Sequence, residues 1–118
     1  MSDEPTAVER FNVHDTEWEP FPEFDGSKAT LYSSADGTKL AASYKLSGTH
    51  SWVLPYDDYF YVIAGHARVS VKGGETFEVS AGDFCHLRGG NRVTFEMSDD
   101  FHEVSTLVAD KPFDITSH

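Results

Sequence analysis

From residue 29 onward the chain is written in short alternating runs. Leu40, Ala42, Tyr44 and Leu46 share one parity, and Ala41, Ser43 and Lys45 the other. That two-residue period is the mark of a half-buried strand. Runs rich in Val, Thr, Tyr and Phe predict strands near 29–33, 39–46, 50–54, 58–63, 66–72, 75–79, 84–87, 92–97 and 103–109. Between them stand turn-forming groups: Ala35-Asp36-Gly37, Ser47-Gly48, Ala64-Gly65, Gly73-Gly74, Ala81-Gly82-Asp83, Gly89-Gly90 and Ser98-Asp99-Asp100. Gly73-Gly74 reads as a hairpin turn and not a phosphate loop, because no helix follows it. Helical spacing nowhere lasts beyond about two turns. So many short strands in so short a stretch imply an all-β sandwich or barrel.

The first residues break this pattern. Residues 1–25 hold eight acids and one base, Arg10, together with Pro5, Pro20 and Pro22. They read as an acidic extended arm, 1–28, ahead of a β-barrel, 29–118. Phe11, Trp18, Phe21 and Phe24 within the arm call for burial, against the barrel or a second subunit. Composition narrows the classes further. The 118 residues suffice for one core, and 14% aromatics help to fill it. A net charge of −11 repels phosphate backbones, so no nucleic-acid partner is expected. No apolar run reaches the roughly 18 residues of a membrane span, and the start of the chain lacks the basic and apolar regions of a signal peptide. A single cysteine, Cys85, forms no internal disulfide and fits a cytoplasmic protein.

Two segments are more specific. Gly48-Thr49-His50-Ser51-Trp52-Val53-Leu54-Pro55-Tyr56-Asp57-Asp58-Tyr59-Phe60-Tyr61-Val62-Ile63-Ala64-Gly65 is followed by Ala81-Gly82-Asp83-Phe84-Cys85-His86-Leu87-Arg88-Gly89-Gly90. They resemble the two motifs of a small single-domain cupin of the Cupin_3 type, the group of ethanolamine-utilisation and ureidoglycine-aminohydrolase-like cupins. Asp58 and Gly65 match the acid and glycine that end the first motif; Gly82, Asp83 and Gly90 match the second. Asp36-Gly37, Gly48, Trp52, Asp57-Asp58 and Tyr61-Val62 also fall at matching places. The resemblance implies a double-stranded β-helix, or jelly-roll (RmlC-like) barrel, with a small-molecule pocket at its mouth. Cupins commonly pair, so a homodimer is expected.

Many cupins hold a divalent metal with three histidines and a carboxylate. Here the carboxylate place holds Asp58, and the histidine places hold Trp52 and Leu54 (or Ser51 and Val53) and Val93. The family's ligand set is therefore missing, and no cofactor is expected. A rearranged metal site of His50, Asp58 and His86 is one alternative. The main reading is metal-independent acid–base chemistry: Asp58, its pKa raised by an apolar barrel, works with His50 or His86 on a small polar metabolite. Lyase, dehydratase, isomerase and hydrolase reactions all fit, and a non-catalytic ligand-binding or accessory cupin is a further alternative. Trp52, Phe60 and Phe95 are expected to wall the pocket with Val62 and Val93, and Tyr44 to place its hydroxyl there. Arg88, where the family has a turn proline, is a candidate anchor for a ligand carboxylate or phosphate, or the partner of one of the chain's acids. Cys85 reads as an inert thiol. His66 reads as exposed, His14 lies in the arm, His118 ends the chain, and His102 caps a turn or reaches the barrel mouth.

Overall fold

A computed structural model describes residues 10–114. The opening of the arm, residues 1–9, and His118 lie outside the described residues. Eight strands follow in chain order: β1 (Glu19–Phe21), β2 (Gly26–Ser33), β3 (Lys39–Val53), β4 (Asp57–Ala64), β5 (His66–Val71), β6 (Thr76–Ser80), β7 (Phe84–Leu87) and β8 (Arg92–Val108). A single 3-10 turn, Pro22–Phe24, joins β1 to β2. No α-helix occurs among the described residues.

All pairings are antiparallel, in the order β1-β2-β3-β8-β4-β7, with the β5–β6 hairpin attached to β8 through β5. β8 is the spine. Its first half pairs with β3 and β5, and its second half with β3 and β4. The sheet already begins at Glu19, because Pro20 and Phe21 pair with Ser27 and Gly26.

Two expected breaks are bulges inside long strands. Ser47-Gly48 does not end β3, and Ser98-Asp99-Asp100 does not end β8. The register jumps from Leu46↔Phe101 to Gly48↔Met97, so β3 advances two residues while β8 advances four. Both steps are even, so neither strand changes its inward face. Leu40, Ala42, Tyr44 and Leu46 on β3, and Val93, Phe95, Met97, Phe101 and Leu107 on β8, are all buried. With Phe60, Val62 and Val69 they form one continuous core. Gly65, the motif glycine, turns β4 into β5 at φ +77°, and a Cβ there would lie 2.7 Å from the Phe101 Cα. Any side chain is excluded on both counts.

Candidate functional site

The inward parity of β4 puts Asp58, Phe60 and Val62 on the concave face, and that of β8 puts Glu103, Ser105 and Leu107 there. Asp58 stands opposite Leu107, and Glu103 opposite Val62, so the two acids flank the Phe60–Ser105 row on one wall. Asp58 is 5% and Glu103 6% exposed. Both line a cavity of about 30 Å³, together with Tyr44, Trp52, Tyr56, Phe95 and other apolar residues. Asp58 Oδ1 and Glu103 Oε1 are buried without a hydrogen-bond partner.

Burial dominates the electrostatics. It pushes the Asp58 carboxyl up to about 7. Glu103 rises well above the ordinary carboxylate range, first through burial and then through the negative charge of Asp58, while the Ser105 hydroxyl acts in the opposite sense. Each carboxylate would stand in a wall too apolar to solvate it, and each disfavours ionisation of the other. Tyr44 and Tyr56 are also driven upward by burial, so both stay neutral phenols able to donate a hydrogen bond.

The aromatic rings form one connected surface. Trp52 stacks on Phe95 with centroids 5.3 Å apart, and Phe24 meets Trp52 edge-on at 4.8 Å. Phe21, just before the 3-10 turn, and Phe24, its last residue, lie 5.0 Å apart and line the cavity from the arm side. This turn is tied down by Ser47, whose hydroxyl donates to the Asp25 carbonyl at 2.9 Å.

Sequence reasoning places Trp52, Tyr44 and Phe95 in the cup with Asp58, and the structure brings these four together. Phe60 lies in the core behind, 5.7 Å from the Phe95 ring, and does not line the cavity. The two candidate histidines do not join Asp58. His50 shares the parity of Trp52, but its ring is held at the rim. Its Nε2 lies 2.8 Å from the Ser47 carbonyl and 3.2 Å from Asp25 Oδ2, under the Phe24 ring. A carbonyl only accepts, so Nε2 carries the proton. His86 projects from the opposite face of β7, because Leu87 is the residue in register with Asp58. There it stacks flat on Tyr59, with centroids 4.4 Å apart. Arg88 is exposed beyond the end of β7 and borders only outer grooves. Cys85 is half-buried, its thiol pushed up to about 11 by burial first, which leaves it a poor nucleophile.

His102 neither caps a turn nor reaches the mouth. It is buried on the outer face of β8, with Nε2 2.8 Å from Ser43 Oγ and with His14 and Trp18 edge-on to its ring. Burial lowers its pKa, and Lys45 and His14 add to the effect. Its neighbour Glu103 is the cavity-lining acid that the sequence reading passes over. Counting odd positions from Val93 through Phe95 and Met97 to Phe101 would have reached it.

The residues at the cup do not fit the metal centre common among cupins. The cavity wall offers two carboxyls and no imidazole. Among the described residues no three His, Cys, Asp or Glu side chains are grouped to hold an ion.

An all-β barrel of this topology, with its pocket on the concave face, is a cupin. The chain belongs to the EutQ-like cupin domain family, whose model matches residues 36–103. Solved structures agree on the fold. The cupin domain of Cnp3 from Schizosaccharomyces pombe is 12% identical, with a TM-score of 0.72 over 86% of this chain and 74% of that one. A putative ethanolamine utilization protein Q from Salmonella typhimurium is 21% identical, with a TM-score of 0.66 over 77% of each chain. KdgF from Halomonas sp. is 15% identical, with a TM-score of 0.69 over 95% of this chain and all of that one. No curated protein matches the chain.

Proposed function

We propose that this cupin is a metal-independent enzyme that moves protons on a small polar metabolite, using Asp58 and Glu103. One observation carries the reading: two carboxyls are buried on the wall of one aromatic cavity, each with an oxygen that meets no donor. A protein gains no stability from such groups. Their arrangement makes sense as an acid–base pair whose proton affinities are set near the working pH.

Burial raises both carboxyls, so each can hold a proton where a solvent carboxyl has lost it. One carboxyl of the pair accepts a proton in its ionised form, and the other donates one in its acid form. The neutral phenols of Tyr44 and Tyr56 orient a ligand oxygen, and Trp52 and Phe95 stack on its flat face. Phe21 and Phe24 narrow the cup on the arm side, and further water admitted there would solvate the carboxylates and return Asp58 towards its ordinary value. No step needs a metal or an imidazole.

Incubation with pools of small hydroxy-, oxo- and amino-metabolites in D₂O tests the reading, with carbon-bound deuterium read by NMR. Elimination, dehydration and isomerisation all pass through such exchange when a carbon-bound proton is abstracted. Asp58→Asn is expected to lower the rate about 10²–10⁴-fold, and Glu103→Gln to lower it as well. If pool members bind but the wild type exchanges no faster than Asp58→Asn, the cup is a binding site without chemistry.

A further inference from the structure

The cup also carries information about the charge of its ligand. Its lining includes six aromatic residues, Phe21, Phe24, Tyr44, Trp52, Tyr56 and Phe95, and the two acids, but no lysine or arginine. The unpartnered oxygens, Asp58 Oδ1 and Glu103 Oε1, are buried on this wall. An anionic ligand would add charge to a site that already cannot solvate its own. A neutral ligand would leave the ionised carboxylate uncompensated.

From the aromatic wall and the two unpartnered carboxyl oxygens we infer that the cup binds a small alkylammonium cation. This rests on the proton-transfer reading above and narrows its substrates to amines. The charges match: an ionised carboxyl on the wall is negative, and an ammonium group positive. The ring faces attract the N-methyl or N–CH₂ shell of such a cation, and Trp is the strongest of them. The same chemistry already operates beside the cup, where Lys28 Nζ lies 4.4 Å from the centroid of the Phe21 ring. A cavity of about 30 Å³ takes a body of only two or three heavy atoms, since one water needs roughly 10–15 Å³. Methylammonium and dimethylammonium are of that size, and larger amines must displace Phe21 and Phe24.

The test is thermal shift and titration calorimetry with methylammonium and dimethylammonium chlorides. Methanol, formate and sodium chloride at equal concentration serve as neutral, anionic and ionic-strength controls. Both ammonium ions are expected to raise the melting temperature, and the controls to leave it unchanged. Asp58→Asn is expected to fold at least as well as the wild type and to weaken binding about tenfold or more. Trp52→Leu should weaken it too, and Trp52→Phe should restore part of the loss. Equal stabilisation by methanol or formate, or unchanged ammonium binding in Asp58→Asn, overturns the inference. Carboxyl-carbon NMR separates this failure from a deeper one. If Asp58 and Glu103 titrate high but no ammonium binds, only the ligand class is wrong. If both titrate as ordinary carboxyls, the ligand class and the acid–base pair fall together.

Discussion

Asp36 and Asp58 are the same side chain in two settings. Asp36 sits in the turn between β2 and β3, fully in solvent. Its Oδ1 accepts from the Thr38 and Ser34 hydroxyls, each at 2.7 Å, and from the Thr38 amide at 3.1 Å. Those donors, Thr38 first, lower its pKa to about 2. Asp58 sits on the barrel wall, where burial takes its pKa in the other direction, to about 7. The difference lies in who supplies the donors. The turn brings three within two residues of Asp36, whereas β4 has spent its backbone amides on its neighbours and offers Asp58 none on the concave side. A surface aspartate is thereby fixed as an anion that organises a turn, and a buried one is left with a mobile proton.

The largest expected effect comes from removing the buried charge. A raised folded-state pKa means that the folded protein holds its proton where the unfolded chain has lost it. The Asp58 contribution to stability is therefore at its most favourable below about pH 4 and is lost as the pH rises through about 7. Asp58→Asn escapes this penalty. Urea denaturation at pH 8 should show it more stable than the wild type by about 2–4 kcal/mol. The gap should close towards pH 4. A gap that stays constant across this range would mean that Asp58 is not a buried ionisable group.

The same variant sharpens the contrast at the neighbouring acid, with a smaller effect. Asp58→Asn removes the charge that adds to burial at Glu103, so the Glu103 midpoint should move down but stay above that of a solvent glutamate. Carboxyl-carbon NMR reads this directly. A Glu103 midpoint unmoved in Asp58→Asn would show that the two carboxyls do not act as a pair.

The fold was legible because its strands alternate cleanly and its glycines sit where turns must cross over. The cup was legible in part. Trp52, Tyr44 and Phe95 follow from parity on β3 and β8, and Asp58 from its place in the cupin-like first motif. Glu103 did not emerge, because Ser98-Asp99-Asp100 reads as the end of a strand, and a strand restarted at residue 103 carries no memory of its parity. In the structure those residues are a bulge of even excess, so the inward face continues through it. His86 was misplaced because the offset between β4 and β7 is set by the turn ahead of β7, which no local pattern encodes. His50 has the parity expected of it. A 3-10 turn in the arm, where the prolines suggest only extended chain, brings Asp25 and Phe24 over its ring.

Asp36 supplies the weaker, opposite signature. Its pKa is depressed, so its contribution to stability is present above about pH 4 and is lost as the pH falls through about 2. Asp36→Asn should melt slightly below the wild type at pH 7, with the difference shrinking as both are taken to pH 2. The group is fully in solvent, so salt should weaken only the small part of this effect that comes from Lys39, and the hydroxyl contacts should survive it.

The smallest effect belongs to the outer face. His86 and Tyr59 stack there on the far side of β7 and β4 from the carboxyls, so nothing polar connects them to the cup. His86→Ala should leave the titration of Asp58 and Glu103 where it is and cost no more than an exposed ring contact, about 0.5–1 kcal/mol. His50→Ala is the informative counterpart. It frees Asp25 and the Phe24 ring at the rim, which admits water to the cup, and solvation should then draw the Asp58 midpoint downward. If His86→Ala moved that midpoint and His50→Ala did not, the division of this sheet into a dry inner wall and an inert outer one would be wrong.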